Sequence, residues 1–349
     1  MSQTGGMRLK PVDFADLRGW AEDTISEAIP PLLKSCRLLM LGVETDPPNR
    51  PIAAGHLDDW RPMCIRLQTL AEHAISDDGA RAFFKEEFQA YRVSQGESET
   101  GGFTGYFEIE LTGSLKRSSP DQVPLYKLPS EALRHQPRAD IVAGGLEGQG
   151  LELIWVDDPI AAFFLQVQGS GKVLLTDGAD RRVRYAGFNG FGYRSIGRKL
   201  VEDGELDPEE VSMQAIIAWM RAHPEQRQGL MNHNRSFVFF DWRDGGAAQG
   251  AQGVDLTPGR SLAIDPEYIP YGAPLWLETT DPVTGAALNR LMIAQDKGGA
   301  IKGAVRGDFF WGTGPTAGEY AGLMNQEGQY FLFLPKGLNL NLRPNGSFE

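Results

Sequence analysis

The chain has 349 residues, 41% hydrophobic and 23% charged, with a formal net charge of −12. That composition fits a globular protein of about two domains. The acidic balance excludes a nucleic-acid binder, whose partner needs a basic face, and no apolar run reaches the ~18 to 20 residues of a membrane span. Two cysteines, Cys36 and Cys64, exclude a disulfide-rich scaffold, and none of the five histidines falls in a metal-ligand spacing. No metal or other cofactor is expected.

The opening MSQTGGMRLKPVDF has neither the apolar core of a signal peptide nor an anchoring cysteine. Either the protein is cytoplasmic or a leader has been removed. Residues 11 to 100 read as helical, since LRGWAEDTISEAIPPLLKSCRLLML and DDGARAFFKEEFQAYRV space apolar residues by three and four. Cys36 and Cys64 fit either free buried thiols or one disulfide between neighbouring helices.

From about residue 102 the texture changes to strands. GFTGYFEIELTGS alternates, and FFLQVQGSGKVLL reads as two strands around a Gly-Ser-Gly turn, with Gln166 and Gln168 on one face. Lys116, Arg117, Arg181, Arg182 and Arg184 read as solvated faces. LDPEEVSMQAIIAWMRAH reads as a helix with Asp207 as N-cap and Pro208 at its first position. After the strand SFVFFDW comes the low-complexity loop GGAAQGAQG. A second run of short strands extends from Ser261 to Pro335, interrupted by one short helix over PTAGEYAGLM. Many short strands with 42 glycines suggest small barrels.

The densest stretch is AQDKGGAIKGAVRGDFFWG, residues 294 to 312. Asp296 ends an apolar strand and is either a turn residue or a functional carboxylate. Asp265, before a proline, reads as an ordinary turn starter. Asp308 stands between Gly307 and Phe309-Phe310-Trp311, and apolar surroundings would raise its pKa and keep it protonated, as a general acid requires. A hairpin-like return near Ile301 or Lys302 would bring Asp296 and Asp308 together. Thr104, Gly105, Tyr106, Gln166, Gln168, Gly169, Ser170, Asn189, Phe310 and Trp311 supply the hydroxyls, amides, glycines and rings with which a groove could hold a chain of sugars.

GFTGYFE, FFLQVQGSG, YAGFNGFGY, MNHNRSFVFF, LAIDPEYIPYGAPLWLE and the long segment AQDKGGAIKGAVRGDFFWGTGPTAGEYAGLM together resemble the MltA family of membrane-bound lytic murein transglycosylases, in order from about residue 100 to 335. The resemblance implies a mainly β chain with N-terminal helices. A double-psi β-barrel domain from residues 1–105 plus 238–349 would carry an inserted β-barrel-like domain, 106–237, with a groove between the two. It also implies cleavage of the β-1,4 bond between N-acetylmuramic acid and N-acetylglucosamine, without water, leaving a 1,6-anhydro end. Asp308 would be the catalytic acid and Asp296 its supporting group.

Peptidoglycan glycan strands would be the partner, with cell-wall synthesis proteins as further candidates and the protein itself a monomer. The place of work would be the periplasm or the periplasmic face of the outer membrane. The lipid anchor implied by the family name does not occur in this sequence, which processing, a tag-style start or a soluble periplasmic relative would each explain. Two rivals remain open: an inverting polysaccharide hydrolase using both Asp296 and Asp308, and a non-catalytic glycan-binding protein of the cell wall.

Overall fold

A computed structural model describes residues 6–42, 55–209, 211–243, 246–338, 340 and 346–347. The first five residues of the N-terminal stretch, and Gly245 of the low-complexity loop, lie outside these. The chain divides into two compact units, one of residues 1–107, 247–312 and 319–349, the other of residues 108–246 and 313–318.

The described residues form thirteen strands: β1 Met7–Val12, β2 Phe88–Gln95, β3 Gly101–Ser114, β4 Val123–Tyr126, β5 Glu152–Val156, β6 Ser170–Leu175, β7 Asp180–Phe188, β8 Val238–Arg243, β9 Ser261–Ile264, β10 Pro274–Thr280, β11 Ala287–Lys297, β12 Gly307–Thr313 and β13 Asn325–Pro335.

In the first unit β13, β10, β11, β9, β12 and β3 follow one another, and the opening residues of β3 pair back onto β13 through Thr104 and Asn325. Six strands thus close on themselves. β9 runs parallel to β11 and antiparallel to β12. All four residues of β9 are buried, as expected of a strand covered on both faces. Leu262, Ile264, Leu275, Leu277, Ile293, Phe309 and Leu332 fill the interior, together with helix residues such as Leu32 and Trp60.

The helical front is only partly helical. Helices Ile29–Met40, Leu57–Leu70 and Asp77–Glu87 form as expected, the last capped by the Ser76 hydroxyl, which accepts from Gly79 N–H. FQAYRV, however, is strand β2, and β1 pairs with it. The helical spacing breaks at Phe88, where φ and ψ turn extended, and β2 then buries Phe88, Ala90 and Val93 while pairing with β13. Cys36 and Cys64, both fully buried, form a disulfide between the first two helices.

In the second unit the strand order is β4-β5-β3-β6-β7-β8, with β3 and β6 parallel and the other pairs antiparallel. Several expectations change here. FFLQVQ is the end of a helix, Pro159–Gln168, because Asp158 caps Ile160 and Ala161 N–H and Pro159 takes the first turn. The helix expected from Asp207 begins instead at Met213, capped by Ser212, while the Asp207 carboxylate closes a turn onto Glu209 N–H. Arg182 is not a solvated cation: it is buried and paired with Glu108 at 3.1 Å. β8 pairs with β7, so the unit runs on past the boundary expected at residue 237 to Gly246.

Candidate active site

Asp296 and Asp308 come together by a route the sequence does not suggest. They sit on β11 and β12, which do not form a hairpin. Both strands flank β9, and both aspartates pair with the same residue, Ala263. Two strand spacings put their α-carbons about 9.5 Å apart. Side chains in register on neighbouring strands share a face, so the two carboxylates look the same way.

Their surroundings differ. Asp296 is saturated with donors: Oδ1 accepts from Ala251 N–H at 2.8 Å and Lys297 N–H at 2.9 Å, and Oδ2 accepts from the Tyr106 hydroxyl at 2.9 Å. Burial raises its pKa, and those three hydrogen bonds work against the rise. Ala251 reaches Asp296 because Gly250 lets the loop lie on β11; a Cβ at Gly250 would stand 2.3 Å from the Gln295 carbonyl oxygen.

Half-buried Asp308 accepts one hydrogen bond, from Thr104 Oγ1 to Oδ1 at 2.7 Å, and its Oδ2 has no protein partner among the described residues. Burial pushes its pKa up to about 6 despite the opposing Thr104 hydrogen bond and Arg306 charge, and the nearby Asp296 adds to the rise. Arg306 Nη2 donates to Thr104 Oγ1 at 2.8 Å, which leaves the threonine proton to point at Asp308. Arg306 itself is held by the Gly102 and Gly307 carbonyls.

The aromatics after Asp308 alternate between the two faces of β12. Phe310 is buried against Ala248 and Leu256, with the Tyr106 ring centroid 5.2 Å away. At 2% exposure it offers no face to a ligand, contrary to the sequence expectation. Trp311 packs between Phe309 and Tyr320, at 4.5 and 4.7 Å. Gly105 is required there, since a Cβ would come within 2.7 Å of Trp311 Nε1 and 2.8 Å of Ala321 Cα. Burial and the Asp296 charge, followed by the Asp296 hydrogen bond and Asp308, push the Tyr106 phenol well above its ordinary pKa, so it stays a donor.

Seven of the twelve expected site residues therefore lie around one edge of the barrel: Asp296, Asp308, Thr104, Gly105, Tyr106, Phe310 and Trp311. The other five belong to the second unit. Gln166 accepts from Arg138 Nη2 at 2.8 Å, and buried Asn189 donates to the Gln136 and Arg235 carbonyls while accepting from Phe237 N–H. Gly169 closes its helix as a left-handed cap, and Ser170 opens β6. Gln166 and Asn189 thus spend their polar groups inside the unit, whereas Gln168 is exposed. Sequence reasoning missed Arg306 and the Ala251 amide. Arg306 could have been found, since it stands two residues before Asp308 and so shares its face of an extended segment. The Ala251 amide left no signal.

Residues 102–241 match the MltA specific insert domain and residues 260–334 the 3D domain. A membrane-bound lytic murein transglycosylase A from Vibrio cholerae is 39% identical over 276 residues, 75% of this chain and 73% of that protein. Its counterpart from Escherichia coli is 37% identical over 237 residues, 66% of this chain, and the match spans 64% of the relative's length. The crystal structure of Escherichia coli MltA with bound chitohexaose aligns with a TM-score of 0.75 at 28% identity, covering 94% of both chains.

Proposed function

Because the chain belongs to the MltA family, we propose that it is a lytic transglycosylase, cleaving the β-1,4 bond between N-acetylmuramic acid and N-acetylglucosamine with Asp308 as its one acid and base. The observation that carries this reading is the asymmetry of the two carboxylates. Asp308 keeps an open oxygen and a pKa of about 6, whereas Asp296 accepts three hydrogen bonds.

The protonated Asp308 gives its proton to the glycosidic oxygen as the bond to C1 of the muramic residue breaks. The 6-hydroxyl of that residue attacks C1, held close by being part of the same sugar. The Asp308 carboxylate then removes the hydroxyl proton and is ready for another cycle. The products are a free 4-hydroxyl and a 1,6-anhydro ring, and no water is consumed. Thr104, oriented by Arg306, steadies the carboxylate between the two steps. Asp296 holds Tyr106 and the 251 loop in place beside it.

Glycan strands of peptidoglycan are the substrate on this reading, supported by the chitohexaose bound in the Escherichia coli relative. An oxidising compartment such as the periplasm is supported by the buried disulfide and by relatives named as membrane-bound. Among the described residues no helix is long and apolar enough to cross a membrane.

The hydrolase rival needs Asp296 to activate a water, for which it would have to share oxygens that already accept from Ala251, Lys297 and Tyr106. Mass spectrometry of muropeptides released from purified peptidoglycan separates the readings. Products one water lighter than hydrolysed muropeptides support the transglycosylase. Hydrated ends would transfer the chemistry to the carboxylate pair, and intact peptidoglycan would leave a binding protein.

A further inference from the structure

The second unit contains a buried cation that no carboxylate among the described residues neutralises. Arg138 is 3% exposed. Its Nε donates to the Asn234 carbonyl, and its Nη2 donates to Gln166 Oε1 and the Ser236 carbonyl. The Phe163 and Phe237 rings lie 4.6 and 5.2 Å from the guanidinium carbon. A guanidinium carries five N–H donors, so the two on Nη1 have no acceptor among the described residues. Burial pushes its pKa down to about 10, which leaves it charged at neutral pH.

A buried charge without a counter-ion is costly, and this one stays unpaired in a protein with acids in excess, at a net charge of −12. The other buried arginines among the described residues are paired, Arg260 with Asp23 and Arg182 with Glu108. Arg138 instead lines a cavity of about 100 Å3 that includes no Asp or Glu. Tyr126, 6% exposed, lines the same cavity, and its hydroxyl has no hydrogen-bond partner among the described residues. The rest of the wall is mostly apolar, with Ala162 and Phe163 on one side and Val142 exposed to solvent.

We propose that this cavity binds a carboxylate carried on a small apolar group, with Arg138 Nη1 and the Tyr126 hydroxyl as its donors. A guanidinium recognises a carboxylate through charge-assisted hydrogen bonds, and the apolar wall has room for a methyl-sized substituent. Resting on the function proposed above, the source is the peptide stem of the glycan substrate, whose terminal D-alanine has this chemistry. The second unit would thus read the peptide.

The test titrates D-alanyl-D-alanine, its C-terminal amide and L-alanyl-L-alanine into the full chain, with the Arg138 side-chain NMR resonance as readout. A Val142→Trp variant narrows the cavity from its wall and leaves the Arg138 side chain itself in place. The D-dipeptide should shift the Arg138 signal and bind at least tenfold more tightly than the amide or the L-dipeptide, and Val142→Trp should weaken it at least tenfold. Equal binding of acid and amide, a preference for the L-dipeptide, or an unmoved Arg138 signal would overturn the proposal. Cleavage of peptide-free glycan strands, measured alongside, reports on the transglycosylase reading alone, so either proposal can fail while the other stands.

Discussion

Asp308 is an acid because of where the chain buries it, and that burial has a thermodynamic consequence. Its folded pKa of about 6 lies above the ordinary 3.8. The native state therefore holds a proton more tightly than the unfolded state. The penalty is absent below the unfolded pKa, grows as pH rises from 3.8 to 6, and is fully present above 6. Asp308→Asn should accordingly be more stable than the parent at pH 7, by about 1–3 kcal/mol, and the gain should shrink as thermal melts move toward pH 4. Activity should decline as pH rises past about 6 and the acid is lost. Thr104→Val removes the hydrogen bond that favours the carboxylate form. The falling limb of its kcat/KM profile should then move to higher pH, whereas an unmoved limb would show that Thr104 does not tune the acid.

At the scale of elements, β9 is the piece that makes the site. By separating β11 from β12 it turns two aspartates twelve residues apart in sequence into neighbours across one strand. The apolar surroundings of Asp308, the helix over PTAGEYAGLM and the strands after Ser261 were legible because their signals are local. The crossover around β9 was not, because parallel pairing of β9 and β11 leaves no turn signature, and a hairpin near Ile301 was the only local solution. FFLQVQ was misread for a related reason: a helix buried on most sides loses its amphipathic pattern, and the decisive signal was the Asp158-Pro159 start. β12 is also held by close approach at Gly105. Gly105→Ala should push a methyl into Trp311 and the Ala321 backbone. A loss of about 1–3 kcal/mol, with activity falling below what the lost folded fraction explains, would be seen in paired melting and turnover measurements. A fully active, equally stable variant would show that the packing can give way there.

The whole molecule combines a closed barrel that carries the acid with a second unit whose polar residues mainly serve its own structure. Composition pointed to about two globular domains, but could not choose between free thiols and a disulfide. That choice depends on two helices meeting through Cys36 and Cys64, 28 residues apart. Closing a loop of that length stabilises by about 3 to 4 kcal/mol in the chain-entropy account. The Cys36→Ser, Cys64→Ser double variant should therefore melt several degrees lower, and unchanged melting would remove the disulfide as support for an oxidising compartment.

Whether one carboxylate does both proton transfers is decided by peptidoglycan turnover and product masses for Asp308→Asn and Asp296→Asn. Asp308→Asn should lose cleavage by at least about a thousandfold, while Asp296→Asn should be slowed yet still release anhydro-ended products. Comparable losses in both variants, with hydrated ends from the parent, would contradict the one-carboxylate reading.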